Sequence, residues 1–109
     1  MLTWRRIACA YFVALGAYNR INGTYACENE LTMMTMLKGR YNFSGFVVSD
    51  WGATHSTNGS LVNGLDIEMP NGHYYTPENI QDAIAEGVVT MDRVDDSCIR
   101  ALTGYAWPC

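Results

Sequence analysis

The sequence predicts an α/β fold of parallel β/α units, and three observations carry that prediction. Residues 45–51, GFVVSDW, are apolar and β-branched from Phe46 to Val48 and then turn abruptly into Ser49, Asp50, Trp51 and Gly52. This is the pattern of a buried strand whose last residues emerge into a loop. Two further runs, residues 11–17 and residues 65–69, the latter closed by Pro70, have the same character. Helical patterns lie between and after them, so the order reads strand, loop, helix, strand, helix, strand, helix, helix, the alternation of parallel β/α units. The 109 residues, 49% hydrophobic and 17% charged, suffice for the core of one small domain. Three strands do not close a barrel, because an eight-stranded β/α barrel takes about 250 residues.

Taken in order, residues 1–17 admit two readings. Arginines at 5 and 6, an apolar run over 7–15 and small residues at 16 and 17 have the layout of a short secretory signal. Residues 11–17 equally make a strand feeding Tyr18. Residues 18–29 read as loop, with Asn22-Gly23 as turn punctuation. A helix is expected over residues 31–37, ended by Gly39, with Met33, Met34 and Met36 as core fillers. After Asp50 the chain is polar through residue 63 and is expected to hold a short helix. Thr76-Pro77-Glu78 opens the next helix, with Thr76 as N-cap, Pro77 at the first position and Glu78 near the positive end of the dipole. Ile80, Ile84 and Val88 fall on one face of it. A last helix starts after Thr90, with Val94, Cys98, Ile99 and Leu102 expected to face inward.

In parallel α/β folds the active site is built just past the carboxyl ends of the strands. Asp50 followed by an indole at Trp51 is therefore a candidate catalytic carboxylate beside a sugar platform. A local reading competes with it: Asp50 caps the helix that follows and Trp51 packs against that helix. Tyr18 is likewise either a site residue or a core tyrosine at a strand end. A net charge of −4 without a basic stripe gives no reason to propose a nucleic acid or an anionic membrane as partner. No segment has the length of a bilayer span. Cys9, Cys27, Cys98 and Cys109 lack CxxC or Cys/His spacing, and His55 and His73 lie apart, so no metal site and no cofactor is expected. Asn22-Gly23-Thr24, Asn42-Phe43-Ser44 and Asn58-Gly59-Ser60 are N-glycosylation tripeptides in expected loops.

Four blocks then stand in order: Tyr18-Asn19-Arg20-Ile21-Asn22-Gly23, Ala26-Cys27-Glu28-Asn29, residues 45–51 and Gly64-Leu65-Asp66-Ile67-Glu68-Met69-Pro70. Together they resemble glycoside hydrolase family 3, the β-glucosidase family, over residues 17–102. The resemblance implies a partial (β/α)8 TIM barrel, its last three strands with their helices, over residues 17–109, with residues 1–16 a start of another kind. It implies a retaining glycosidase that hydrolyses O-glycosyl bonds of a β-glucoside or oligosaccharide, with Asp50 as nucleophile and Tyr18 and Trp51 lining the sugar site. In the family the acid/base glutamate belongs to a later domain and the glycone-gripping residues to earlier strands. The chain alone is therefore expected to be inactive. The alternative is a non-catalytic truncated product or a weak sugar-binding module. Asp66 and Glu68 share one face of their strand and are expected to make structural contacts. Many relatives carry a cysteine at the place of Gly16 that could pair with one at the place of Cys27, so no such disulfide is expected here. The family's frequent extracellular role, with the three tripeptides, points to secretion.

Overall fold

The computed structural model describes residues 13–106. Strand β1 (Val13–Gly16) pairs in parallel with β4 (Phe46–Ser49), in register from Val13↔Phe46 to Gly16↔Ser49. The strand expected over 11–17 is thus present as Val13–Gly16, and its first two residues lie outside the described ones. Between the paired strands, the stretch expected as loop contains a small hairpin, β2 (Arg20–Ile21) against β3 (Thr24–Tyr25). Its turn is Asn22 at φ 50° followed by Gly23 at φ 87°. Both central residues of a tight hairpin turn need positive φ, which is why Asn-Gly serves there.

Helix α1 (Leu31–Arg40) runs past the expected stop at Gly39. It closes in a widened register, Tyr41 N–H to the Met36 carbonyl at 2.8 Å. The left-handed residue that ends it is Asn42, at φ 51°. Asparagine tolerates that conformation and takes the terminating role usual for glycine. Helices α2 (Asn58–Val62), α3 (Pro77–Ala85) and α4 (Met91–Ala106) complete the chain. Thr76 caps α3 by accepting the Asn79 N–H at 3.1 Å, as its sequence signature predicts.

The run over residues 65–69 is not a full strand. It meets β4 through one parallel bridge, Val48↔Ile67. Asp66 explains the interruption: its Oδ2 accepts the Val47 N–H at 2.8 Å, while the N–H groups of Asp66 and Ile67 both reach the Val47 carbonyl. A side chain thus takes the place of a ladder partner, although the segment still follows β4.

One core cluster gathers Cys27, Met33, Val47, Ala53 and Leu65. A second gathers Leu61, Ala83 and Val89. Tyr75 packs against both. Met33 fills the core, whereas Met34 and Met36 are only half-buried. Two helix faces differ from expectation. Helix α3 stops at Ala85 and Gly87 turns the chain at φ 74°, so Val88 is exposed and Val89 goes inward. On α4, Cys98, Ile99 and Leu102 are exposed. Arg93, Ser97 and Arg100, spaced i, i+4 and i+7, turn inward instead. Arg93 donates to the Leu61 and Leu65 carbonyls, and Arg100 to those of Phe43 and Gly45. These polar anchors fix the helix rotation, which counting apolar residues does not reveal.

Candidate functional site

Because β1 and β4 are parallel and end together at Gly16↔Ser49, the residues just past both strands share one end of the sheet. The Asp50 N–H extends the pairing by donating to the Gly16 carbonyl at 2.9 Å. Tyr18 follows β1 and its hydroxyl lies beside the Asp50 carboxylate. That proximity raises the Tyr18 pKa, first through the hydroxyl–carboxylate interaction, with desolvation and the charge of Asp50 acting in the same direction. Asp50 Oδ1 also accepts the N–H of Trp51 at 2.7 Å. The carboxylate is therefore held by the Trp51 N–H and stands beside a phenol able to fix its orientation.

The local alternatives fail on geometry. No helix starts at Asp50: the chain turns through Gly52 at φ 74°, and α2 begins only at Asn58. Trp51 is 62% exposed and Tyr18 54%, so neither packs into a core. Both aromatic groups stand open at the strand ends beside the carboxylate.

A supporting layer escaped the sequence reading. The Tyr25 ring stacks on His55 with centroids 3.5 Å apart, while the Arg20 guanidinium lies 4.3 Å from the same ring centroid and its Nη2 donates to the Tyr25 hydroxyl. Ser56 Oγ donates to Glu28 Oε1 at 2.5 Å, and Asn63 Nδ2 to the Glu28 carbonyl at 2.9 Å. These contacts dock the hairpin after Tyr18 onto the loop after Asp50. No spacing rule would have paired Tyr25 with His55, since only the crossover brings them together. Ser49, fully buried, accepts the Met69 N–H on Oγ at 2.9 Å and ties β4 to the next segment.

The two carboxylates that follow are engaged elsewhere. Asp66, buried, accepts Lys38 Nζ at 2.8 Å, Arg93 Nη2 at 3.0 Å and Ser97 Oγ at 2.9 Å, besides the Val47 N–H. Glu68 accepts the N–H groups of His73, Tyr74 and Tyr75 at 3.0, 2.9 and 2.7 Å, which fixes the loop over residues 71–75. A cleft of about 420 Å³ opens beside Gly52, lined among others by Thr54, His55, Glu68 and His73.

Cys27 lies beneath β1 as a free, buried thiol. A Cβ built on Gly16 would overlap its Sγ. Burial, then the charges of Glu28 and Asp50, push this thiol up to about 11. Such a group is inert toward electrophiles near neutral pH. Among the described residues no group of three or more His, Cys, Asp or Glu is arranged to hold a metal ion.

Known proteins resemble the chain along most of its length. The model for the glycosyl hydrolase family 3 N-terminal domain matches residues 10–103. The probable β-glucosidase L of Aspergillus terreus is 47% identical over 96 residues, covering 82% of this chain and 13% of that protein. Among solved structures, a β-glucosidase from Chaetomella raphigera superposes with a TM-score of 0.80 at 42% identity, covering 86% of this chain and 14% of the other. A β-D-glucoside glucohydrolase from Trichoderma reesei gives 0.79 at 35% identity, with 85% and 14% covered. The chain thus spans about an eighth of the length of the curated relative it matches.

Proposed function

The chain belongs to glycoside hydrolase family 3, and on that premise we propose that it supplies the nucleophile-bearing part of a retaining β-glucosidase. In this reading the described residues 13–106 are the last three strands of a (β/α)8 barrel with their helices, and the substrate is a β-glucoside or oligosaccharide. Asp50 attacks the anomeric carbon, the bond to the leaving oxygen breaks, and water later releases the glycosyl group from Asp50. Tyr18 orients the carboxylate through its hydroxyl, and Trp51 offers its open indole face to a sugar ring. The observation that carries the reading is the Asp50 carboxylate standing beside the Tyr18 hydroxyl at the open end of two parallel strands.

A retaining cycle also needs a second carboxyl group about 5–5.5 Å from the first to protonate the leaving oxygen. Among the described residues Asp66 is saturated in a buried ion cluster and Glu68 is bound to three backbone N–H groups. The acid is therefore assigned to a part of the enzyme other than these residues. The isolated chain should show no appreciable turnover, because proton transfer contributes roughly 10²–10⁴-fold. The exposed Val13 and Leu15 on β1 leave apolar surface uncovered in the chain alone, whose second reading is a non-catalytic truncated product or weak sugar-binding module. The three glycosylation tripeptides support a secreted protein, and no described helix is long and apolar enough to cross a membrane.

The test uses a full-length family enzyme carrying residues 13–106 in place of its own. A 2-fluoroglucoside should trap a covalent sugar on the Asp50 peptide. Label on Asp66 or Glu68 would overturn the assignment. The chain alone is assayed with an activated aryl β-glucoside, which needs little acid assistance. Turnover that Asp50→Asn abolishes would refute the inactivity of the isolated chain.

A further inference from the structure

Among the described residues only Asn22 and Asn42 combine a side chain with positive φ, at 50° and 51°. Each is also the asparagine of an N-glycosylation tripeptide. We infer that Asn22 and Asn42 are N-glycan acceptor sites and that the third tripeptide asparagine, Asn58, is not.

A glycan is bulky and hydrophilic, so its asparagine must project freely from the folded surface. Asn22 and its neighbours Gly23 and Thr24 are all exposed, and a Cβ placed on Gly23 would meet nothing within 4 Å. Asn42 and Ser44 are exposed as well, beside Tyr41 at 67%. The tight turn explains Asn22, and the helix stop explains Asn42. Neither turn calls for the hydroxyl residue two places on. Thr24 and Ser44 make no side-chain hydrogen bond within the described residues, so their hydroxyl groups have no structural duty there.

Asn58 differs at every one of these points. It is half-buried at the first position of α2. Ser60 is fully buried, with its Oγ 3.5 Å from Glu28 Oε1. A Cβ on the intervening Gly59 would lie 2.8 Å from Ser56 Oγ and 3.4 Å from the Glu28 carboxyl carbon. A glycan at Asn58 would stand against packed side chains rather than on a free turn. Asn42 precedes β4, at the far end of the sheet from Asp50, and Asn22 stands on the hairpin tip, so neither glycan needs space inside the sheet.

The inference rests on the secretory routing proposed above, and the experiment separates the two. The chain, placed behind a heterologous signal sequence, is translated with microsomes, and glycosidase release in heavy-oxygen water marks each occupied asparagine as labelled aspartate. Label on Asn22 and Asn42 is expected, with Asn22→Gln and Asn42→Gln each removing one gel step. An unlabelled Asn22 or Asn42, in a reaction that modifies a control glycoprotein, overturns the inference. The same mapping on the full-length enzyme carrying residues 13–106, secreted and folded, should leave Asn58 unlabelled. Label there refutes the sorting by burial. Because the signal is heterologous, occupied sites in a chain whose natural host does not export it would overturn the localisation reading alone.

Discussion

Asp50 and Asp66 lie on neighbouring segments of one sheet, yet their surroundings are opposite. Asp66 is 7% exposed and takes hydrogen bonds from Lys38, Arg93, Ser97 and the Val47 backbone. It joins α1, β4 and α4. Asp50 accepts the Trp51 N–H and stands beside the Tyr18 hydroxyl, with both aromatic side chains open to solvent. A carboxylate with four donors in a dry site holds the fold, and its charge is tolerated only because partners compensate it. A carboxylate oriented by few donors at a strand mouth keeps capacity to bond something else.

The largest expected effect is on Asp50. In the full-length enzyme carrying these residues, Asp50→Asn should lower turnover by more than about 10³-fold, as loss of a nucleophile does, while the unfolding free energy stays within about 0.5 kcal/mol. A variant that loses stability and activity together would erase the contrast between the two aspartates. Asp66→Asn should do the reverse. It leaves Lys38 and Arg93 without their buried counter-charge, at a cost of about 3–5 kcal/mol, and equilibrium unfolding reads it directly. Wild-type stability in that variant would mean the cluster is no anchor.

Gly16 sharpens the Asp50 side of the comparison. Its carbonyl accepts the Asp50 N–H, and the space where a Cβ would go is taken by Cys27 Sγ. Gly16→Ala should destabilise by about 1–3 kcal/mol through overpacking. Adding Cys27→Ala should recover most of that loss. Absence of recovery in the double-mutant cycle would show that the close contact is not the cause.

The smallest effect is a pH dependence on the Asp66 side. Burial pushes the Lys38 ammonium down to about 8, and Arg93 and Arg100 act in the same direction while Asp66 opposes them. Between about pH 8 and the unfolded value of 10.5, the unfolded chain holds a proton that the folded chain has released. Lys38's contribution is therefore present above the unfolded value and is lost as pH falls through about 8. The stability of wild type minus that of Lys38→Met should rise with pH across this window. A flat difference in denaturant midpoints would show that the ammonium is not disfavoured by burial. Taking the difference removes Cys27 and Tyr75, whose raised values make stability fall with rising pH.

Local signals made much of this legible. The GFVVSDW run identified β4 and the emergence of Asp50, Thr76-Pro77 identified the start of α3, and Asn22-Gly23 marked the turn of a hairpin whose strands are too short to show periodicity. The direction of α4 was not legible. Its apolar residues Ile99 and Leu102 suggested one inner face, while Arg93 and Arg100 reach carbonyls far away in sequence and impose another.

By itself the sequence named the candidate site residues and the stretches apolar enough to be strands, because both depend on side-chain type and on spacing along the chain. It left Asp50 open between helix cap and site carboxylate. Tertiary structure rules out the cap, since the next helix begins only at Asn58, and the parallel pairing that brings Tyr18 beside Asp50 supports the proposed site role. It also decided that Asp66 is structural, since its partners Lys38, Val47, Arg93 and Ser97 come from three separate elements. A lone carboxylate in a sequence has no environment, and the environment, its donors and its access to water, is what separates an anchor from a reactive group.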